Sequence, residues 1–340
     1  MTSTTRILVI GATGGIGSEV AKAALAAGWD VRAMHRRPKK AAAAMADMGV
    51  EWVKGDAMRA KDVTRAAKDC DVIFHGANPP GYKKWKQLAI PMLANTIKAA
   101  ETVKARIAFP GNIYVYGDDA FPVLGEDAPQ HPPTEKGNIR IEMEYMLRRT
   151  PQPALVVRAG DFFGPNAPGS WVGGGMIKAE KPISSVTYPG DPKTLHAFAY
   201  LPDLAETFIR LLSNPEVAAS NFDIFHFAGH TVGGDTGVSF PDALRNAARM
   251  PDAPIKKLPW AMVRVAGVFN ETFRELWKMR YLWRTPHRLD NTKLQSVIGS
   301  EPHTPLEEAL RVTLVGHGCL PEQAPAASPQ NETGHAAVAA

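Results

Sequence analysis

Residues 6–17 constrain the fold more than any other part of this sequence. They begin with a short apolar, β-branched run that ends at Ile10 and is long enough for a buried strand. Glycines follow at positions 11, 14 and 17, and an Ala-rich segment, residues 18–27, then indicates a helix that ends at Gly28. A strand, a glycine turn and a helix N-terminus together predict a phosphate site, because free backbone N–H groups and the helix dipole attract an anion.

Each glycine has a separate task in such a turn. Gly11 allows the tight turn, Gly14 lets the backbone approach the phosphates, and Gly17 lets the helix lie close to the strand. An ordinary tight turn is the alternative, but the position between a strand and a helix favours the phosphate site. The predicted contacts with a diphosphate come from these three glycines and from Thr13, Gly15 and Ile16.

The spacing G-x-x-G-x-x-G resembles that of the short-chain dehydrogenase/reductase superfamily, in particular its extended and atypical members, the epimerase/dehydratase-like and NmrA-like branches. The resemblance runs over roughly residues 5–315 and implies an α/β fold. That fold is a doubly wound parallel (Rossmann) sheet with a smaller, mostly C-terminal α/β substrate lobe. Strand-like and helix-like segments also alternate over the first 110 residues, and this pattern predicts the same kind of sheet.

Three parts are expected along the chain. Residues 1–165 form the NAD(P)-binding domain, and residues 166–320 form the substrate lobe, from which a segment at about 196–212 returns to the first domain. Residues 321–340 have the Ala/Pro/Gln/Ser composition of a flexible tail. Residues 259–283 predict one long apolar and aromatic helix, whose aromatic stripe is expected to be core rather than a binding surface.

Composition limits the classes of partner. The net charge is +5, and the two cysteines, Cys70 and Cys319, have neither the number for a disulfide framework nor a metal-ligand spacing. No segment has the pattern of a signal peptide or of a membrane span. We therefore expect a cytoplasmic protein that acts on a small molecule, with no metal and no nucleic-acid or membrane partner. The oligomeric state, a homodimer included, stays open.

Basic residues cluster after the second predicted strand, residues 30–34. Arg36 and Arg37 occupy the loop that meets the adenosine ribose in a dinucleotide fold, and no acidic residue accompanies them. An acidic residue there accepts a hydrogen bond from the 2′-hydroxyl, whereas a guanidinium suits a 2′-phosphate. The sequence thus predicts NADP as the cofactor, with NAD as the alternative.

Further cofactor contacts are predicted at the ends of the next two strands. The resemblance implies that Asp56 contacts the adenine, with Ala57 beside it, and a turn aspartate is the alternative. The fourth strand is followed by Gly76, Ala77 and Asn78, at the edge where ligands bind in open α/β sheets. Small residues there let a cofactor lie against the backbone.

Reductases of the superfamily carry Tyr-x-x-x-Lys on one helix face, and a Ser or Thr at the end of the fifth strand. Here Val115-Tyr116-Gly117 matches the family's V-Y-G, which puts Asn112 in the Ser or Thr position. The Tyr and Lys positions are then held by Lys136 and Arg140, one helical turn apart. Lys-x-x-x-Arg followed by Glu144 resembles the isoflavone-reductase-like, NmrA-related enzymes, in which a lysine takes the acid/base role.

Lys136 is therefore the candidate acid/base. Burial and the like charge of Arg140 are expected to lower its pKa toward the range in which proton transfer at neutral pH is efficient. Arg140 can instead hold the nicotinamide ribose, and a pair of solvated surface cations is the alternative for both. Asn112 can bind a substrate carbonyl, and Tyr114 or Tyr116 can supply the missing phenol.

The substrate side is predicted to include Tyr82, Asp161, Phe162 and Trp171. The function these observations favour is an NADP(H)-dependent oxidoreductase that transfers hydride to a carbonyl or an activated double bond. A nucleotide-sugar epimerase or dehydratase is one alternative, suggested by family-like motifs in the second half, although such enzymes ordinarily have Tyr at position 136. A non-catalytic NADP(H)-sensing protein is the other, favoured by the loss of the usual Ser and Tyr.

Overall fold

The computed structural model of the chain describes residues 4–45, 49–79 and 84–321. Within them the strands are β1 (Arg6–Ile10), β2 (Asp30–His35), β3 (Glu51–Lys54), β4 (Val72–His75), β5 (Arg106–Asn112), β6 (Val123–Leu124), β7 (Ala154–Ala159), β8 (Asp161–Phe163), β9 (Val186–Tyr188), β10 (His196–Tyr200), β11 (Phe222–Phe227), β12 (His230–Val232), β13 (Ile255–Lys257) and β14 (Arg288–Leu289). The α-helices are α1 (Gly15–Ala26), α2 (Pro38–Ala44), α3 (Ala60–Ala66), α4 (Trp85–Val103), α5 (Glu135–Arg149), α6 (Leu201–Ser213), α7 (Pro215–Ala219), α8 (Phe240–Ala247), α9 (Trp260–Phe269), α10 (Glu271–Met279), α11 (Thr292–Ile298) and α12 (Leu306–Gly316).

A parallel sheet of seven strands in the order β11-β7-β5-β4-β1-β2-β3 forms the centre of the molecule. Alternate residues of β1 pack into opposite apolar layers, with Ile7 and Val9 on one side and Leu8 and Ile10 on the other. The chain order reverses between β1 and β4, and ligands bind at such a reversal in open α/β sheets. The predicted doubly wound sheet is therefore confirmed.

The C-terminal half is interleaved with this sheet more than the predicted boundaries imply. Within the segment at about 196–212, helix α6 packs beside α1, whereas strand β10 belongs to the lobe sheet. Residues 222–227, assigned to the lobe, instead form β11 at the edge of the central sheet, paired with β7. The lobe itself contains a three-stranded sheet, β12-β10-β8, above an apolar cluster that includes α8 and α12. The predicted tail lies outside the described residues except for Pro321.

The prediction of one long helix over residues 259–283 was wrong. The backbone is extended at Asn270, with φ −133° and ψ 119°, and the Asn270 side chain accepts a 2.9 Å hydrogen bond from the N–H of Thr272. An Asn side chain that caps a following helix in this way divides the segment into α9 and α10. The aromatic stripe is only partly core, because Trp283 is buried while Phe269 and Phe273 are exposed.

A buried polar network fixes α5 against the sheet. Arg158 on β7 is fully buried, and its Nη2 lies 2.7 Å from Oε2 of Glu144 on α5. Its Nη1 donates to the hydroxyl of Tyr116 at 2.6 Å, and that hydroxyl lies 2.7 Å from Nε2 of His226. A buried guanidinium requires partners of this quality to offset its desolvation. The network therefore determines which face of α5 points inward.

Replacing Glu144 by Gln should destabilise the protein, because it leaves the Arg158 charge buried without a counter-charge. We expect the free energy of unfolding to fall by about 3 kcal/mol, measured by urea denaturation. Glu142→Gln is the matched control, since Glu142 is exposed on the same helix; its effect should stay within about 0.5 kcal/mol. Equal effects of the two changes would contradict this account of the network.

Candidate active site and nucleotide cradle

The glycine turn after β1 closes against the end of β4. Gly11 has φ +91°, which favours glycine, and a Cβ there would lie 2.6 Å from the carbonyl oxygen of Gly76. The N–H of Gly76 donates to the carbonyl of Ile10 at 2.8 Å. A Cβ at Gly17 would overlap the Gly11 carbonyl. These two glycines therefore allow helix α1 and both strand ends to meet.

Gly14 differs from Gly11 and Gly17, because the space where its side chain would lie is almost empty. Its φ of −92° suits any residue, and an added Cβ would meet only the Gly11 carbonyl oxygen, at 3.3 Å. Thr13 and Gly14 are exposed at the N-terminus of α1, whereas the Ile16 side chain is buried and offers only its backbone. Gly15 is packed by Leu201 of α6. An open glycine at a helix N-terminus fits a diphosphate.

A cleft of about 510 Å³ continues from this turn toward α2. Arg36, Arg37 and Lys40 bring three cations to its wall, together with Thr13 and His35. The N–H of Arg37 donates to Nδ1 of His35 at 3.0 Å, which shapes the loop. This concentration of positive charge beside the phosphate turn suits a further anionic group of the cofactor.

Arg32 belongs to the same basic run but does not line this cleft. Its Nε lies 2.8 Å from Oε2 of Glu51, and its Nη1 donates to the carbonyl of Lys68 at 2.6 Å. The side chain thus connects the edge of the sheet to the end of α3. Arg32 is therefore a structural residue of this sheet edge, unlike Arg36 and Arg37.

The remaining predicted cofactor contacts lie along the same edge of the sheet. Oδ1 of Asp56 accepts the N–H of Met58 at 3.0 Å, so this carboxylate forms the turn that was the alternative interpretation. The Ala57 carbonyl accepts the amide of Asn95 at 2.8 Å. Ala77 packs on the apolar layer beside α4, and Asn78 is exposed.

Lys136 lies in the first turn of α5 and is 2% exposed. The hydroxyl of Thr134 accepts the N–H of Gly137 at 3.2 Å and so begins the helix one residue before Glu135. The Lys136 Nζ lies 3.4 Å from Oε2 of Glu275 and 5.5 Å from the centre of the Trp85 ring. The alternative of a solvated surface cation is therefore wrong for Lys136.

Burial lowers the pKa of Lys136 to about 8, and the Glu275 carboxylate partly offsets this effect. The like charge that lowers the pKa further comes from Lys278 rather than from Arg140, as the sequence had suggested. Lys278 Nζ also lies 2.8 Å from Oε1 of Glu275. Glu275 is the site residue that the sequence analysis missed, because it lies on α10 and belongs to no motif shared with α5.

Arg140 holds the helix rather than facing solvent. Its Nη2 donates to the carbonyl of Pro110, and its guanidinium lies 4.7 Å above the Phe109 ring. Burial lowers its pKa to about 10, so it stays protonated at neutral pH. These contacts secure α5 to the end of β5, where Asn112 lies half-buried with its Oδ1 accepting the N–H of Tyr114 at 3.1 Å.

Tyr116 does not supply the missing phenol. Its side chain is fully buried, and its hydroxyl contacts Arg158, His226 and the carbonyl of Gly125. Burial raises its pKa well above the ordinary value. The prediction of a catalytic Tyr116 was therefore wrong: the phenol belongs to the network that fixes α5.

The residues predicted for the substrate side have packing partners in the lobe. Oδ2 of Asp161 lies 2.9 Å from Nε2 of His196, and both side chains are buried. Phe162 packs against the apolar layer that contains α1 and α6. Trp171 contacts the edge of Trp283, with ring centres 5.1 Å apart. Tyr82, the fourth predicted residue, lies outside the described residues.

We compared the chain with protein families, with curated sequences and with solved structures. A family model for NAD(P)H-binding domains matches residues 11–134. No curated protein sequence matches the chain significantly. None of the helices within the described ranges is long and apolar enough to cross a membrane.

Solved structures with the same fold include three epimerases. A putative epimerase from Burkholderia cenocepacia shares 17% identity, with a TM-score of 0.71 over 94% of this chain and 99% of that chain. A UDP-glucuronic acid 4-epimerase from Bacillus cereus in complex with NAD shares 17% identity, with a TM-score of 0.66 over 91% and 97%. A UDP-glucose 4-epimerase from Bifidobacterium longum in complex with NAD+ and UDP shares 16% identity, with a TM-score of 0.67 over 91% and 97%.

Glycine-to-alanine substitutions should distinguish the glycine needed for binding a dinucleotide, Gly14, from one needed for packing of the turn, Gly17. Gly14→Ala leaves the backbone unstrained but fills the open side, so we expect the affinity for nicotinamide dinucleotide to fall about tenfold with little change in Tm. Gly17→Ala is the comparison, because its Cβ would overlap the Gly11 carbonyl and should lower the Tm. Calorimetric titration and thermal unfolding measure the two effects. If the Gly14→Ala variant binds nicotinamide dinucleotide as tightly as the wild type, the glycine turn is not the diphosphate site.

Proposed function

We propose, from the premise that this chain has the NAD(P)H-binding domain and the fold of the extended short-chain dehydrogenase/reductases, that it is an epimerase/dehydratase-like oxidoreductase acting on a nucleotide sugar. The observation that carries the oxidoreductase part of the proposal is the buried Lys136, which occupies the position that the family resemblance gives to the usual catalytic Tyr on α5. The similar fold of UDP-sugar epimerases supports this reaction over the simple reduction that the sequence favoured.

Lys136 supplies the proton transfer in this proposal. A nicotinamide dinucleotide, which the glycine turn at residues 11–17 would hold, would supply hydride transfer to or from the carbon of a substrate secondary alcohol. Nζ of Lys136, as a neutral amine, accepts the proton of that hydroxyl group while the C–O bond becomes a carbonyl. The resulting ammonium gives the proton back when the carbonyl is reduced. A pKa of about 8 keeps both forms accessible near neutral pH.

Neighbouring side chains position this amine. Glu275 lies against both Lys136 and Lys278, so its carboxylate retains a partner whichever protonation state Lys136 has. The Trp85 ring excludes water from one side of Nζ. Asn112, at the end of β5, retains an amide that can donate to a substrate oxygen. Arg140 is a positioning residue, because it acts by securing α5.

A second candidate is an NADPH-dependent reductase, and the basic cleft favours it. Arg36, Arg37 and Lys40 suit the 2′-phosphate that distinguishes NADPH from NADH. A reductase uses only the second half of the cycle described above, with Lys136 as the proton donor. The two candidates therefore differ in substrate and net redox change rather than in the residue that transfers the proton.

Product analysis distinguishes the candidates. We would incubate the purified protein with UDP-glucose or UDP-glucuronic acid and either oxidised dinucleotide, and follow the sugar by NMR. Conversion to an epimer or a dehydrated sugar without net change of the dinucleotide supports the first proposal. Oxidation of NADPH over a panel of carbonyl and enone compounds supports the second. Dinucleotide binding without turnover in either assay contradicts both and leaves the sensing protein.

Replacing Lys136 by Met should lower kcat at least about 100-fold, because the proton then has no acceptor. The Tm should not fall, since the change removes a desolvated charge and leaves Glu275 paired with Lys278. Lys278→Met is the matched control: it removes the other partner of Glu275 but leaves the Lys136 amine in place, so kcat for alcohol oxidation, measured well above the pKa of Lys136, should change less than about threefold. If both variants lose the same amount of kcat, the reaction depends on the environment of Glu275 rather than on the Lys136 amine.

The pH profile gives an independent check of the same residue. Because the amine is neutral above its pKa, alcohol oxidation should rise with pH through a midpoint near 8, and carbonyl reduction should decline through the same midpoint. A profile without this limb would exclude Lys136 as the proton-transferring group.

Replacing Arg36 and Arg37 by Ala should weaken NADPH binding about tenfold to 100-fold while leaving NADH binding nearly unchanged. The physical reason is that only NADPH carries the 2′-phosphate. Lys39→Ala is the control, since Lys39 is an exposed cation in the first turn of α2, directly after this loop, and does not line the cleft. Equal weakening of both dinucleotides would refute the preference for NADP, and isothermal titration measures it.

A further inference from the structure

Helix α9 presents an apolar face to solvent. Phe269 is 89% exposed, Val268 71%, Met262 69% and Val265 65%. With 3.6 residues per turn, these four side chains cover an arc of about 120°, opposite the buried Val263 and Gly267. Phe273 of α10 extends the same surface. Of the ten large apolar side chains exposed in the described part of the chain, five lie within this short segment.

The chain segment that contains this apolar face is strongly basic. Residues 256–288 contain eight Lys or Arg and two Glu, a net charge of +6, whereas the whole chain carries +5. The positive excess of the protein is therefore concentrated in this segment. Lys256 and Lys257 are exposed directly before α9, and Arg264 and Arg274 are exposed beside it. An apolar helix face bordered by cations is typical of helices that lie in the interface of an anionic membrane.

We propose that α9 and its basic border dock the protein on an anionic lipid surface. The apolar arc enters the interface between headgroups and acyl chains, and the cations contact the lipid phosphates and carboxylates. Helix α9 has only ten residues, which suits a helix lying along the surface. The proposal differs from the expectation, from the sequence, of a protein without a membrane partner, and the experiment below decides between them.

Charge and composition favour an anionic membrane over two other groups that could cover the apolar face, a second copy of the chain and the C-terminal residues 322–340. Two copies of this chain that paired through α9 across a two-fold axis would bring two segments of charge +6 together, which opposes association. The C-terminal residues 322–340 contain Val338 as their only large apolar residue, so they offer little to cover four exposed apolar side chains. An anionic membrane supplies both an apolar interior and complementary charge.

The docking surface and the candidate active site share one helical hairpin. Gly267 of α9 packs against the backbone of Arg274 on α10, and Glu275 on α10 reaches Lys136. The N–H of Lys84, which precedes α4, also donates to Glu271 at 3.2 Å. The hairpin thus lies over Lys136 with its apolar face outward. Docking therefore places the site next to the lipid surface, whichever substrate it takes.

Vesicle binding tests this inference without any measurement of activity. The full chain is mixed with unilamellar vesicles of phosphatidylcholine alone or of phosphatidylcholine with phosphatidylserine, and the bound fraction is measured by flotation. We expect binding to the anionic vesicles that weakens at high ionic strength. The double variant Val265→Ser/Phe269→Ser should lower the partition coefficient about tenfold or more. Lys256→Glu/Lys257→Glu should lower it by a similar factor.

Val238→Ser is the matched control, because Val238 is an exposed apolar residue outside the segment; its binding should equal that of the wild type. Failure of the wild type to bind anionic vesicles overturns the proposal. So does light scattering that finds a dimer in the wild type and a monomer in the Val265→Ser/Phe269→Ser variant, since a second copy then covers the face. Equal binding of that variant and the wild type also overturns it.

Discussion

The buried ion pair between Arg158 and Glu144 is the constraint on which the arrangement of the site depends. It joins the central sheet to α5 inside the protein, where a buried charge without a partner would strongly destabilise the fold. Because Tyr116 and His226 complete the same network, the end of β5 and the edge strand β11 are tied to it as well. The inward face of α5, and with it Lys136, follows from this one set of contacts.

The two ends of the cofactor site are set by different physical means. At the phosphate end, missing side chains matter: Gly11 and Gly17 let three backbone segments converge. At the end near Lys136, burial matters, since desolvation lowers the pKa of this amine to about 8, as the proposed proton transfer requires. The glycine turn follows β1, and α5, which carries Lys136, is secured to β5 of the same parallel sheet through Arg140.

The sequence predicted what depends on local pattern. The strands of the central sheet and the glycine turn follow from short-range periodicity and spacing, whereas the choice of Lys136 follows from the resemblance to the family's Tyr-x-x-x-Lys motif. Glu275 could not be predicted, because its contact with Lys136 joins two helices, α10 and α5, that are distant in sequence. The direction of the Tyr116 hydroxyl likewise depends on Arg158, which is distant in sequence. The break at Asn270 had a local signal, an Asn able to cap a helix, which the apolar pattern around it obscured.

The pairing of β11 with β7 has a consequence for how such a protein can be taken apart. A fragment ending at residue 165 would expose the backbone edge of β7 and the face of α1 that α6 now covers. The nucleotide-binding half is therefore not an autonomous module to which any lobe can be joined. A recombinant protein with a new specificity must therefore keep β11 and α6, the two C-terminal elements that pack on the N-terminal half. Only the segments between them can be exchanged.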